Sequence, residues 1–294
     1  MEITNSHIIP QTKIVDDDFN LELAEAFELS ILIGSKQFSF AIIDPLHFKL
    51  YWLETYSFED ALLSEQLIAT LTTLFNQNEA LQNGFWKSIQ VGMVHNKSTL
   101  IPEALFDEDH VQNYFQVNCA YNSEAEQILL HRHKNAGIIN LFAAEHALLD
   151  FLKAQYSSRK INFLPIGSTL IEGVLHYPAQ TDPTIYINLS HEMASYTIKT
   201  GNELKYFNSF HAIDFKDLLY YTLFIAEEFN YEQENLKVII WGNTGLENDY
   251  QLALRAYIGT VVLGDRPTGV AANYKFSDIP KHQHFDLLAM SLCS

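Results

Sequence analysis

Thr184-Ile185-Tyr186-Ile187-Asn188-Leu189-Ser190, with Met193 to Thr200 and Glu203 to Phe210 behind it, is the stretch on which the fold turns. Ile185, Ile187 and Leu189 recur at period two, the signature of a strand with one buried face. Gly201-Asn202 divides the next two segments and supplies the positive-φ residues that a hairpin turn needs. Three antiparallel strands are therefore expected in succession. A helix is expected from Asp214, where Phe215, Leu218, Leu219, Thr222, Leu223, Ala226 and Phe229 fall on one face. Lys237 to Trp241 is continuously apolar through Val238, Ile239 and Ile240, as in a parallel strand buried on both sides. Leu246 to Tyr257 then reads as a helix and Thr260 to Leu263 as a last short strand.

Three strands, a helix, a strand, a helix and a strand make the ribonuclease-H-like plan, and its first part is written once more upstream. Leu29, Ile31 and Ile33 share a face; Gly34-Ser35 reads as a tight turn; Phe38, Phe40 and Ile42 continue in a second strand that Pro45 ends. Phe48 to Thr55 supplies a third strand. A helix start is read at Ser57-Phe58-Glu59-Asp60, with Leu63, Leu67, Leu71 and Leu74 as its apolar stripe, and Ser88 to His95 is a further strand. The expected fold class is α/β: a tandem duplicated ribonuclease-H-like, actin-like ATPase fold with mixed sheets flanked by helices.

The expected domains are an acidic lead-in over residues 1–28, a first half over 29–180 and a second over 181–294. The polar, proline-bounded Pro178-Ala179-Gln180-Thr181-Asp182-Pro183 marks the border. Inside the first half, Gln127 to His133 and Ile138 to Leu141 form a hairpin around Asn135-Ala136-Gly137. A helix over Ala143 to Gln155 and one or two strands over Ile161 to Tyr177 follow. Phe285, Leu288 and Leu292 make a short C-terminal stripe expected to dock as a helix on one of the halves.

Composition narrows the function. Of 294 residues, 36 are acidic and 18 basic, a formal net charge of −18. A nucleic-acid binder needs a basic face, and the densest basic run is only His131-Arg132-His133-Lys134. Nucleic acid and anionic membranes are thus disfavoured, whereas a basic protein partner is attracted. Two cysteines, Cys119 and Cys293, match no metal motif and suit a reduced interior. The N-terminus lacks the basic start and apolar run of a signal peptide, and no stretch is long enough to span a bilayer. A cytoplasmic protein is expected.

The chain resembles an uncharacterised bacterial family with an actin-like fold. The likeness rests on Leu100-Ile101-Pro102-Glu103-Ala104-Leu105-Phe106-Asp107, on Ile185-Tyr186-Ile187-Asn188-Leu189 and on Phe285-Asp286-Leu287-Leu288. It is similar, more distantly, to the actin-like assembly proteins of bacterial division and pilus machines. The resemblance implies where a nucleotide site would lie: a turn in each half, each with an Asp for Mg²⁺ and a Gly for phosphate, and a Gly-Gly loop for adenosine.

Those positions are Gly34 and Ser35 in the first turn, Asn188 and Ser190 in the second, and Gly242 and Asn243 in the loop. The first turn, Ile33-Gly34-Ser35-Lys36, has no acid to hold Mg²⁺, which needs hard oxygen ligands. Asn188 stands where the pattern wants Asp, Ser190 where it wants Gly, and Asn243 where it wants a second Gly. The departures agree with one another. They point to no catalytic residue and no required cofactor, while leaving room for weak Mg-ATP binding.

Other constellations carry less. His131 and His133 share a strand face, and His282 and His284 have the same spacing, but neither pair brings the third ligand a zinc site needs; no metal is expected. Gly167-Ser168-Thr169 reads as a turn. Asp214 and Asp217 suit a helix start. A ribonuclease-type nuclease would need clustered acids on its strands for two metals, and neither Leu29 to Ile33 nor Lys237 to Trp241 contains one. The expected function is a non-catalytic scaffold or protein-interaction module. The alternative is a divergent nucleotide-binding ATPase or phosphotransferase drawing a carboxylate from Asp44, Glu172 or Glu192. The partner is expected to be another protein.

Overall fold

A computed structural model of the chain describes residues 8–95, 97–191 and 193–293. By its contacts the chain separates into two units. The first comprises Met1–Ile166 and Ala271–Ser277, the second Gly167–Val270 and Asp278–Ser294. The Pro178–Pro183 stretch thus lies within the second unit.

The first unit opens with a correction. Within the acidic segment read as a solvated lead-in, β1 (Thr12–Val15) pairs antiparallel with β4, after β2 (Glu28–Gly34), β3 (Gln37–Asp44) and β4 (Lys49–Ser57). Asp16 is buried with Lys49 Nζ 3.1 Å from its carboxylate, which is why a run of acids tolerates order. Helices α1 (Ser64–Gln77) and α2 (Glu79–Gln82) precede β5 (Ser88–Val94). The helix starts at Ser64 rather than near Ser57, because Ser57 is still the end of β4.

Next comes a separate layer: β6 (Ser98–Pro102), α3 (Val111–Asn118), β7 (Glu126–His133) and β8 (Ile138–Glu145), with sheet order β6-β8-β7. Its own small core holds Ile101, Phe115, Ile139 and Leu141. Gly137, at φ 62°, makes the expected hairpin turn. Helix α4 (His146–Gln155) and β9 (Ile161–Pro165) return to the main sheet. That sheet runs β1-β4-β3-β2-β5-β9, with Ala271–Ala272 pairing on β4. β2 is buried along its length because β3 and β5 flank it on both sides. Its Leu29, Ile31 and Ile33 pack with Phe38, Phe40, Trp52, Leu71 and Phe75. Glu54 is buried beside this core, accepting hydrogen bonds from Trp52 Nε1 (2.9 Å), Asn78 Nδ2 (2.9 Å) and Tyr56 Oη, with Lys13 Nζ at 3.3 Å. A buried carboxylate is tolerated only when so fully partnered.

The second unit begins with α5, which runs Ile166–His176 and is buried through Gly167–Leu175. Of the one or two strands expected over Ile161 to Tyr177, β9 is one and α5 takes the remainder, which also corrects the turn expected at Gly167-Ser168-Thr169. A helix covered all round has no polar face to set a 3.6-residue rhythm. β10 (Thr184–Ser190), β11 (Met193–Thr200), β12 (Glu203–His211), α6 (Phe215–Glu228), β13 (Lys237–Gly242), α7 (Glu247–Leu254) and β14 (Thr260–Leu263) follow the expected plan. The sheet order is β12-β11-β10-β13-β14, antiparallel on the β12 side and parallel on the β14 side. Asp214 caps α6 by accepting from Lys216 N and Asp217 N.

The C-terminal stripe docks within this unit. α8 (Phe285–Leu288) leads into a 3-10 turn over Ala289–Leu292, and Phe285, Leu287, Leu288 and Met290 are buried. Phe285 stacks on Trp241 with centroids 4.2 Å apart. A Cβ on Gly173 of α5 would stand 2.7 Å from the Phe285 ring, so the glycine is what lets α8 settle. Burial of a phenylalanine of this kind contributes about 1.5–3 kcal/mol.

Candidate functional site

In the first unit the chain turns sharply between β2 and β3. The turn's carbonyls are engaged by the segment before α1: Phe58 N donates to Lys36 O at 2.9 Å and Leu62 N to Ser35 O at 2.8 Å. At Gly34, an added Cβ would lie 3.1 Å from Val94 Cβ and 3.3 Å from Gln37 Cγ. Glycine therefore serves the close approach of β2 to β5. Asp44, a carboxylate considered for this turn, sits at the other end of β3, about 23 Å away at roughly 3.3 Å per residue. It is engaged locally, accepting from Leu46 N at 2.8 Å and contacting His47 Nδ1 at 2.6 Å.

Beside Gly34 and Ser35 the first unit encloses a cavity of about 310 Å³. Its floor is the carboxyl ends of β2 and β5; α1, β8 and α4 supply the walls. The apolar lining includes Ile33, Leu67, Met93 and Leu148; the polar lining is His95, Lys97, Glu126, Ser64 and Glu145. Lys97 Nζ is ion-paired to Glu126, and Ser64 Oγ donates to Glu145. Burial alone would raise the Glu126 carboxyl; the Lys97 ammonium and the Asn122 N–H together hold it below its ordinary value.

His95 was read only as the end of a strand. Its Nδ1 accepts the Lys97 backbone N–H at 3.2 Å, which places the ring proton on Nε2. Nε2 is shut off from solvent, and the Ala143 backbone carbonyl is a hydrogen-bond partner of the ring. Burial first, and the Lys97 charge second, push this imidazole down to about 4; Glu126 and the Ala143 carbonyl act the other way without offsetting them. At neutral pH His95 is thus an uncharged N–H donor.

The second unit carries the other four predicted positions. Asn188 and Ser190 lie on β10, Asn188 buried between Ser195 of β11 and Trp241 of β13. Gly242 and Asn243 open the loop between β13 and α7, and this loop is filled by the protein itself. Glu247, at the first turn of α7 and buried, accepts from Thr244 N at 2.7 Å, Thr244 Oγ1 at 2.8 Å and Gly245 N at 3.0 Å. Gly242 N donates to His282 O at 3.1 Å. Asn243 Oδ1 accepts the His284 N–H at 2.7 Å, and its amide also reaches the buried Asp286. Burial raises the Asp286 carboxyl, although the Leu287 N–H and the Asn243 amide counter it.

A Cβ on Gly242 would fall 2.5 Å from Glu247 Oε1 and 2.6 Å from Leu189 O. Gly242 is therefore a glycine for its own carboxylate and its own strand. His282 and His284 are on turns and not on a strand as expected, with His284 at φ 59°. His131 and His133 do share a face of β7, their ring centroids 4.7 Å apart, and His133 is wholly buried, so the expected partial exposure holds for His131 alone. Glu172 is buried in α5; Glu192 lies outside the described residues.

Glu247 was passed over in the sequence. Thr244-Gly245-Leu246-Glu247 has the spacing of a capping box, and that was the available signal. His95 left none, since its burial follows from the β6–β8 layer.

Two parallel-ended mixed sheets of this order define the actin-like ATPase fold. The chain aligns with a crystal structure from Bacteroides thetaiotaomicron VPI-5482, a protein with actin-like ATPase fold and unknown function. The TM-score is 0.76 at 20% identity, over 94% of this chain and 99% of that one. It also aligns with the PilM-PilN type IV pilus biogenesis complex, with TM-score 0.62 at 12% identity over 90% of this chain and 97% of the other. Residues 16–261 match the family DUF3822, a protein family of unknown function, and the chain belongs to that family. No curated protein matches it significantly. Among the described residues no helix is long and apolar enough to cross a membrane.

Proposed function

We propose that this chain is a non-catalytic member of the actin-like fold, a scaffold that works by binding another protein. One observation carries the reading. The backbone donors of the Gly242–Gly245 loop, which a nucleotide would need, are engaged internally by Glu247 and by His282 O. An anionic phosphate entering there would have to displace a buried carboxylate of the same sign. The absence of an acid in the Gly34–Lys36 turn and the neutral Asn188 agree with it, since neither offers Mg²⁺ a charged oxygen.

The pilus relative is named for its complex with a second protein, which accords with a binding role. The net charge of −18 favours a partner with a basic face. Cys119 and Cys293 are free thiols, in keeping with a reducing cytoplasmic setting.

Thermal unfolding with ATP, ADP and GTP, each with and without Mg²⁺, tests the proposal. The expected result is no shift for any of them. A Mg²⁺-dependent rise, about 2.7 kcal/mol at a hundredfold excess over Kd, would overturn it.

A further inference from the structure

The sheet of the second unit ends on a long strand with one free side. β12 pairs with β11 alone in the order β12-β11-β10-β13-β14, so one row of its main-chain groups has no strand opposite. Ser209 N gives the phase of that row. It is taken by the Asn208 side chain, 2.9 Å away, and alternate residues of a strand face alternate edges, so Phe207 and Ser209 direct their N–H and C=O groups outward. Natural edges are blunted by lysine, proline or a bulge. β12 has its irregularity and Lys205 near the start, where the register shifts opposite Ile198 and Lys199. Tyr206-Phe207-Asn208-Ser209-Phe210 carries neither charge nor proline.

Beside this edge lies a row of aromatic rings. Phe210 of β12 stacks on Tyr221 of α6 with centroids 4.2 Å apart, Tyr221 meets Tyr220 edge-on at 5.2 Å, and Tyr220 stacks on Phe224 at 6.3 Å. The outer two rings stand in solvent, Tyr220 63% and Phe224 43% exposed, and contiguous apolar surface left in water marks an interaction site. The charge around it has one dominant sign. Residues 203–235 hold seven acids and two lysines, and Lys205 is already paired to Glu203 at 2.7 Å. Glu227 and Glu228 close α6 with no basic residue in its last turn, where the helix dipole disfavours a carboxylate. Burial is the main cause that raises the Tyr206 phenol, and the Glu228 carboxylate adds to it, which puts Glu228 beside β12. A cation brought to this end of α6 is favoured by the dipole and the acids together.

We propose that the β12 edge and the α6 rings form one docking surface for an extended segment of a partner protein that bears arginine or lysine. The segment adds to β12 as a further strand. Its alternate side chains lie over Tyr220 and Phe224, where a guanidinium or ammonium gains from the ring face, and reach Glu227 and Glu228. A second copy of this chain suits the surface less, because each copy brings the same acidic charge. The surface rests on the scaffold reading and adds to it the face used and the chemistry of the partner. It shares no residue with the Gly242–Gly245 loop.

Fluorescence-anisotropy titration of the full chain with a short labelled peptide of alternating arginine and valine tests the surface, with a peptide of alternating glutamate and valine as control. The arginine peptide is expected to bind saturably below about 1 mM, and the glutamate peptide not at all. Tyr220→Ala with Phe224→Ala should weaken the arginine peptide about tenfold, and Glu227→Gln with Glu228→Gln about fivefold; all four positions are exposed. Ser209→Pro removes an outward N–H, a change that edge strands tolerate, and should abolish binding. If that variant fails to fold, slowed hydrogen exchange of the Phe207 and Ser209 amides in the unaltered protein on adding peptide reads the same pairing. Equal binding of the two peptides, binding that survives Ser209→Pro, unchanged exchange at saturation, or no saturable binding of the arginine peptide would overturn the proposal. A dimer in sedimentation that Ser209→Pro dissolves would give the edge to a second copy and overturn it as well. None of these results moves the nucleotide titration on which the scaffold reading stands, so the two fail separately.

Discussion

The two sheets of this chain carry their candidate ligand positions at strand ends whose polar groups are satisfied in different ways. In the second unit the loop after β13 is closed: a buried carboxylate takes two of its N–H groups, and a glycine is required so that this carboxylate and the Leu189 backbone both fit. In the first unit the carboxyl ends of β2 and β5 are open, with a cavity of about 310 Å³ beside them. The lesson is that a loop and a side-chain pocket answer to different physical demands. A loop's backbone donors must be satisfied somehow, and here the carboxylate of Glu247 satisfies them; a side-chain pocket carries no such obligation.

Gly242→Ala would break the comparison most severely. Its Cβ overlaps both Glu247 and the Leu189 carbonyl, and relieving overlap against backbone in a packed core costs about 4 kcal/mol. Urea unfolding should show it as a lower midpoint for the transition of the second unit.

Acid reveals what the two regions share. His95 in the first unit and His284 in the second are each pushed to about 4 from the usual 6.5, chiefly by burial. A histidine depressed in the folded state contributes stability that is present above pH 6.5 and lost as pH falls toward 4, by about 3 kcal/mol each at most. Unfolding followed across that window should steepen for both units. His284→Asn, which tolerates the positive φ, should flatten the slope of the second unit alone.

Glu247→Ala leaves the Thr244 and Gly245 N–H groups unpaired and is expected to cost about 2 kcal/mol. Glu247→Gln keeps an acceptor and should cost about half as much. A thermal scan of the pair checks this. If the alanine variant were as stable as the original, the loop would not depend on its internal anion, and the contrast between the units would dissolve. Lys97→Met should have the smallest effect, under about 1 kcal/mol for a half-exposed ion pair. It should also let the Glu126 carboxyl rise, because the Lys97 ammonium no longer holds it down; a pH titration followed by NMR would read this.

Much of the scaffold was legible in the residues, and the reason is periodicity. Ile185, Ile187 and Leu189 share the face of β10 that packs with α6 and α7, and Leu29, Ile31 and Ile33 share the face of β2 that packs with α1 and α4, although the opposite face of each strand is buried as well. Helix α5 was missed because burial on all sides removes the rhythm that marks a helix. β1 was missed because the acids around it signal solvent, whereas Asp16 is held inside by Lys49. The six candidate positions came from laying the turn pattern that the resemblance implies onto those strands. What they do was not legible, since Glu247 at a helix start reads as ordinary dipole compensation until its carboxylate is seen turned back into the loop.

The segment Ala271–Ser277 belongs to the first unit although it lies beyond most of the second. Ala271 and Ala272 pair in parallel with Lys49 and Leu50 of β4, Tyr274 Oη donates to Asp17 Oδ2 at 3.1 Å, and Lys275 pairs with the same carboxylate. A ribosome delivers the chain from its N-terminus, so the first unit waits for residue 277 of 294 before its sheet has its last partner. Neither unit can be released by a single cut, and a nascent chain arrested before residue 271 holds an unfinished first half in which Lys49 and Leu50 of β4 still lack their parallel partner.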